Sequence, residues 1–207
     1  ATILYRDVVS RYQIRDIAFL ENLTRFLADH TGSITSANSI ADYLRSQKES
    51  KSVSVIISYI NYLEQSFFIS RARRQDVKGR RILSIGDKIY FQDLGLRNII
   101  AGYRPDDISK ILENTVYNHL VTSGYKVTTG KLGDKEIDFI AEKGSEYSYY
   151  QVAYLLSDKK VVDREFGNLL DIGDNYPKYV ISMDKFPVTA SMKGVKHVRL
   201  IDFLQDR

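Results

Sequence analysis

The apolar residues of this chain change their spacing after Glu64, and that change limits the architectures open to it. Up to that point they recur every three or four residues, the period of a helix with one buried face. Ile17, Leu20, Leu23, Phe26 and Leu27 form one such stripe behind Asp16, whose carboxylate can cap the first turn. His30, Thr31 and Gly32 then stop the segment. A shorter helix fits Ala37 to Leu44, with Ser36 as its cap and Ala37, Ile40, Ala41 and Leu44 inside. Ser46 to Lys51 is a polar turn. Ser52 to Gln65 is rich in β-branched residues, but its length and the stripe Val53, Ile56, Ile57, Ile60 and Leu63 predict a helix capped by Ser52. Beyond it the pattern turns extended. Phe67 to Arg74 and Arg80 to Ile85 flank a turn at Asp76-Val77-Lys78-Gly79, and Lys88 to Gln92 continues extended.

The second half alternates differently. Ile108, Ile111, Leu112, Val116, Leu120 and Val121 mark a helix that ends at Ser123-Gly124. Strands are predicted over Tyr125–Thr129, Lys135–Ala141 and Tyr147–Leu156, with turns at Gly130, Gly133 and Gly144. A helix follows from Asp158 to Leu170, burying Val162, Phe166, Leu169 and Leu170. Tyr179–Met183 and Lys196–Leu200 complete the strands. This order predicts an α/β (α+β) fold with a mixed central sheet. A first domain over residues 1–100 and a second over residues 101–207 meet between Asp93 and Arg104, just before Pro105.

Composition narrows the chemistry. With no cysteine there is no disulfide framework, thiolate-bound zinc or thiol nucleophile. No phosphate-cradling glycine loop, serine-hydrolase elbow or H-E-x-x-H pair occurs, and His30, His119 and His197 are scattered. No apolar run reaches the ~18–20 residues that span a bilayer, so a soluble, cytoplasmic protein without a membrane partner is expected. A chain that opens at Ala1 is expected to be part of something longer. Charge is uneven: residues 1–105 hold 16 Lys and Arg against 10 Asp and Glu, the remainder 14 against 16. Arg71, Arg73, Arg74, Lys78, Arg80 and Arg81 face one acid, Asp76, which marks the hairpin as a candidate grip for a polyanion such as DNA.

One constellation carries chemistry. The two-residue period of a strand puts Glu136, Asp138 and Ile140 on one face, and Tyr147, Tyr149, Gln151 and Ala153 together on the next strand. If those strands pair, Asp138 and Gln151 approach each other. Glu113, at the edge of the preceding helix's stripe, can lean over the same end of the sheet. Two acids and an amide oxygen suit a hard cation such as Mg²⁺, which activates water and neutralises charge on phosphate. The alternative is structural: Asp138 satisfies a backbone group, and Gln151 is a buried amide paired with Glu113 or Asp138.

Three helices followed by a basic hairpin resemble a winged helix-turn-helix. Glu113, Asp138 and Gln151 resemble the signature of the PD-(D/E)XK, restriction-endonuclease-like fold, which implies a catalytic and metal-binding role for these three residues. The pattern departs at its third position, where Ala153 stands in place of lysine, and Lys159 or Lys160 is the nearest substitute. Over nearly its full length the chain resembles the C-terminal region of a family of prokaryotic AAA-type ATPases. The blocks that carry this include Tyr5-Arg6-Asp7-Val8-Val9, Ser36-Ala37-Asn38-Ser39-Ile40-Ala41, Leu112-Glu113-Asn114-Thr115-Val116-Tyr117, Gly133-Asp134-Lys135-Glu136-Ile137-Asp138-Phe139 and Gln151-Val152-Ala153-Tyr154. The resemblance implies a missing N-terminal ATPase module as partner, with ATP bound only there.

Together these readings lead to a non-catalytic adaptor contacting DNA or another protein, with no cofactor in this chain. The alternatives are a Mg²⁺-dependent DNA endonuclease with a migrated lysine and a pure protein-interaction module. Ser52–Gln65 carries no Lys or Arg, and its outward groups are expected to be Ser54, Ser58, Asn61 and Gln65, which argues against base-specific reading in a major groove.

Overall fold

A computed structural model describes residues 2–185 and 191–205. The chain divides into two compact units, one of residues 1–71 and 85–103, the other of residues 72–84 and 104–207. The hairpin predicted to be basic is therefore shared out, its base assigned to the first unit and its tip to the second.

In the first unit, α1 (Thr2–Tyr12) precedes α2 (Ile17–Asp29), the short strand β1 (Ile34–Thr35), α3 (Ala37–Ser46) and α4 (Val53–Gln65). The three predicted caps form: Asp16 accepts from the Phe19 N–H, Ser36 from the Ser39 N–H, and Ser52 from the Val55 N–H. Then come β2 (Ile69–Asp76), β3 (Ile82–Phe91) and α5 (Leu94–Ala101). Strand β3 runs on through Gly86, which takes φ +81°, a conformation that glycine adopts without a Cβ penalty. β1 pairs antiparallel with β3 through Ile34↔Lys88. The core gathers Phe19, Leu20, Leu23 and Leu27 of α2, Ile40 and Leu44 of α3, Ile56 and Leu63 of α4, and Ile89 and Phe91 of β3. Ile57, expected inside, is exposed, and Val55 joins it on the outer face of α4. Arg97 of α5 is fully buried, its Nε donating to the Ala28 carbonyl at 3.0 Å.

In the second unit a short 3₁₀ turn (Pro105–Asp107) leads into α6 (Ile108–Thr122). The chain reverses at Gly124, φ +86°. Strands β4 (Lys126–Leu132), β5 (Lys135–Lys143) and β6 (Glu146–Val152) form an antiparallel meander. After α7 (Lys159–Leu170), capped by Asp158, come β7 (Lys178–Ser182), β8 (Ser191–Met192), β9 (Val195–Arg199) and α8 (Leu200–Gln205). β7 runs parallel to β6 and β9 parallel to β7, while residues 74–76 pair in parallel with 129–131 of β4. The sheet is mixed, as the alternation of elements predicts. One face, with Ile137, Ile140, Tyr149 and Val180, packs on Phe166 and Leu169 of α7. The other presents Phe139 to Tyr117 of α6 and Tyr150 to Phe203 of α8.

Candidate functional site

The β4–β5 ladder slips within β5. Thr128 pairs with Ile140 but Gly130 pairs with Ile137, so Asp138 and Phe139 both stand opposite Thr129. An extra residue of this kind is a β-bulge, which bends a strand and re-aims side chains. Gly130 permits the slip: a Cβ there would meet Ile137 Cβ at 2.9 Å and Val77 Cγ2 at 3.0 Å. Opposite the bulge, the Thr129 hydroxyl is fully buried and has no hydrogen-bond partner among the described residues.

On its other side β5 pairs with β6 only as far as Phe139↔Tyr150. The next two residues are Asp138 and Gln151, and their side chains take over from the backbone ladder. Gln151 Oε1 accepts the Asp138 N–H at 2.7 Å, and Asp138 Oδ2 accepts the Val152 N–H at 2.8 Å. The Gln151 amide then donates from Nε2 to Glu165 Oε2 of α7 at 3.0 Å. Glu165 Oε1 in turn receives Arg164 Nε and Nη2 at 2.8 and 2.6 Å. Gln151 and Glu165 are 4% and 5% exposed, so these polar atoms have left water and depend on each other.

The two strand residues singled out from the sequence do meet. Glu113 stands on α6, which meets the sheet through Tyr117 on the Phe139 face, whereas Gln151 turns toward α7. Among the described residues no three His, Asp or Glu side chains come close enough together to hold a metal ion. A hard cation prefers six or more oxygens, and here the Gln151 oxygen, one Asp138 oxygen and both Glu165 oxygens already accept hydrogen bonds. Ala153 lies buried in the apolar cluster with Leu156 and Phe166. Lys159 and Lys160 are exposed on the first turn of α7, and the α7 side chain that reaches Gln151 is a carboxylate. Glu165 was legible in principle: it lies three residues after Val162 and four before Leu169, inside the buried stripe of α7.

A model of a domain of unknown function, DUF8612, matches residues 1–107. The chain belongs to that family. This DUF8612 chain is 33% identical over 203 residues to an uncharacterized protein of Haemophilus influenzae, covering 98% of itself and 50% of that protein. It is 28% identical over 160 residues to the uncharacterized protein MJ1544 of Methanocaldococcus jannaschii, covering 75% of itself and 35% of the relative. The chain thus spans about half the length of the first relative and about a third of the second. No solved structure matches. The DUF8612 match takes in α1 to α5, whereas Asp138, Gln151 and Glu165 lie beyond it. Among the described residues no helix is long and apolar enough to cross a membrane.

The six hairpin cations of this DUF8612 protein have unequal surroundings. Arg71 belongs to the first unit, where it forms an ion pair with Glu64 and donates to Asn61 Oδ1 at 3.0 Å, both on α4. The other five lie in the second unit. Arg80 covers the rings of Tyr147 and Tyr176 at 4.6 and 5.2 Å, a cation–π contact that holds its guanidinium against the sheet. Arg74 has a buried Nε without a hydrogen-bond partner among the described residues. Arg73, Lys78 and Arg81 are exposed. The outer face of α4 offers Ser54, Val55 and Ile57, with no cation.

Proposed function

We propose that this chain is a non-catalytic binding region of a longer AAA-type ATPase, built from a winged helix-turn-helix and a degenerate PD-(D/E)XK nuclease-like domain. The carrying observation is the use made of Asp138 and Gln151. Their oxygens tie β5 to β6 where the ladder ends, and Ala153 supplies a methyl group where a nuclease needs an ammonium to orient water. The length of the relatives supports a larger parent, since the chain covers half or less of each. Contact with DNA falls to Arg73, Lys78 and Arg81, whose exposure suits phosphates and gives a salt-sensitive, sequence-tolerant grip. A second reading, a protein-contact module, is favoured by the exposed Val55 and Ile57 on α4.

Two assays test this. Plasmid incubated with the chain and Mg²⁺ or Mn²⁺ stays intact. Metal-dependent cleavage that disappears in Asp138→Ala overturns the non-catalytic reading. At low salt, duplex DNA is retarded by the wild type and by Arg71→Ala, but not by Arg73→Glu/Arg81→Glu. Absence of retardation by the wild type moves the assignment to the protein-contact module.

A further inference from the structure

A cavity of about 510 Å³ opens on the α6 and α8 side of the second unit's sheet, on the opposite face from Gln151. Its size falls within the range of small-molecule sites, roughly 300–1,000 Å³. Aromatic rings make its walls. Tyr150 and Tyr179 stack with centroids 5.2 Å apart, and Phe203 stands tilted to Tyr150 at 5.7 Å and edge-on to His119 at 4.8 Å. At the rim, Lys143 Nζ lies 5.2 Å from the centre of the Tyr125 ring and donates to the Ser123 carbonyl at 3.0 Å. That bond uses one of three ammonium protons. The Tyr150 oxygen accepts from Ser148 Oγ at 3.1 Å, which leaves its own proton to donate. Burial pushes the Tyr150 pKa up to about 12, so the phenol stays protonated at neutral pH.

Charge selects among ligands. An aromatic enclosure attracts cations as well as flat rings, but the lining includes Lys143 and His119 and no carboxylate. A second cation would have to sit beside that ammonium, whereas an anion would be neutralised by it. We propose that this cavity binds a flat aromatic acid, its ring lodged among Tyr150, Tyr179 and Phe203 and its anionic group on Lys143. Neither the Asp138–Gln151 junction nor the basic hairpin uses these residues, so the site stands independently of the DNA-binding assignment.

The chain has no tryptophan, so indole fluorescence excited to the red of tyrosine absorption comes from the probe alone. Three probes share the indole ring and carry different charge: indole-3-acetate is an anion, indole is neutral and tryptamine is a cation. Indole-3-acetate binds with a Kd of ~1 mM or tighter, indole about fivefold more weakly, and tryptamine more weakly still. Lys143→Gln, a change at an exposed position, brings indole-3-acetate down to the affinity of indole and leaves indole itself unaffected. Phe203→Ala weakens all three. No saturation with indole-3-acetate, equal affinity for the three probes, tighter binding of tryptamine, or an unchanged Lys143→Gln variant each overturns the proposal. If Phe203→Ala loses its wild-type far-UV circular dichroism, Lys143→Gln alone decides.

Discussion

Replacing Gln151 with glutamate tests the junction between β5 and β6 most directly. The change is nearly isosteric, but the structure makes it costly. One oxygen of the new carboxylate can still accept the Asp138 N–H, which Gln151 now does at 2.7 Å. The other replaces a donor with an acceptor 3.0 Å from Glu165 Oε2, in surroundings 4–5% exposed. Two like charges at that separation repel by about 5 kcal/mol at an effective dielectric of about 20. Proton uptake caps the penalty at about 1.4 kcal/mol for each pH unit above ~4.3, or about 4 kcal/mol at pH 7.5. At pH 4.5 the protonated acid can donate to Glu165 as the amide did, and about 1 kcal/mol or less is lost. The folded pKa of the new carboxyl is therefore raised above its unfolded value. Its stability contribution is complete below about pH 4.3 and is lost as pH rises through the folded pKa. Urea unfolding followed by circular dichroism at both pH values reads this as a midpoint shift of at least ~1 M at pH 7.5 that largely vanishes at pH 4.5. A variant as stable as wild type at pH 7.5, or equally destabilised at both pH values, refutes the reasoning.

Gly130→Ala drives a methyl group into Ile137 and Val77 at 2.9 and 3.0 Å, so the second unit should lose about 1–3 kcal/mol, read by chemical denaturation. Ala153→Lys places an ammonium within the cluster of Leu156 and Phe166. It should cost about 2 kcal/mol or more in the same assay and leave plasmid uncut in the presence of Mg²⁺. His197 bonds Ser182 Oγ at 2.8 Å and has a buried Nδ1 with no hydrogen-bond partner among the described residues. Burial lowers its pKa, an effect that Asp184 only partly opposes. Its contribution is thus complete above about pH 6.5 and falls as pH drops below that value. The melting temperature of His197→Gln should decline less than that of the wild type between pH 7.5 and 5.5.

Helices whose start is written in one capping side chain and whose buried stripe is uninterrupted were readable in advance. Asp16, Ser36 and Ser52 each cap a helix at the expected place, because a cap bonds within three residues of itself. The helices α1, α5 and α8 were not anticipated. In α5 the fully buried residue is Arg97, a charged side chain that no apolar pattern reveals, since its burial depends on a carbonyl 69 residues away at Ala28. Ile57 fits the stripe of α4 by spacing, yet no neighbour covers it fully.

Period and chain order alone placed Asp138 and Gln151 on neighbouring strands, because alternation and short turns are local properties of the backbone. What those side chains are used for was settled only in three dimensions. The slip beside Gly130 exists only in the pairing of β4 with β5, the early end of the β5–β6 ladder hands two N–H groups to side-chain acceptors, and Glu165 arrives from a helix fourteen residues beyond Gln151. Hydrogen bonds in a buried site answer to whichever groups packing delivers, and packing is a property of the whole second unit rather than of any segment in it.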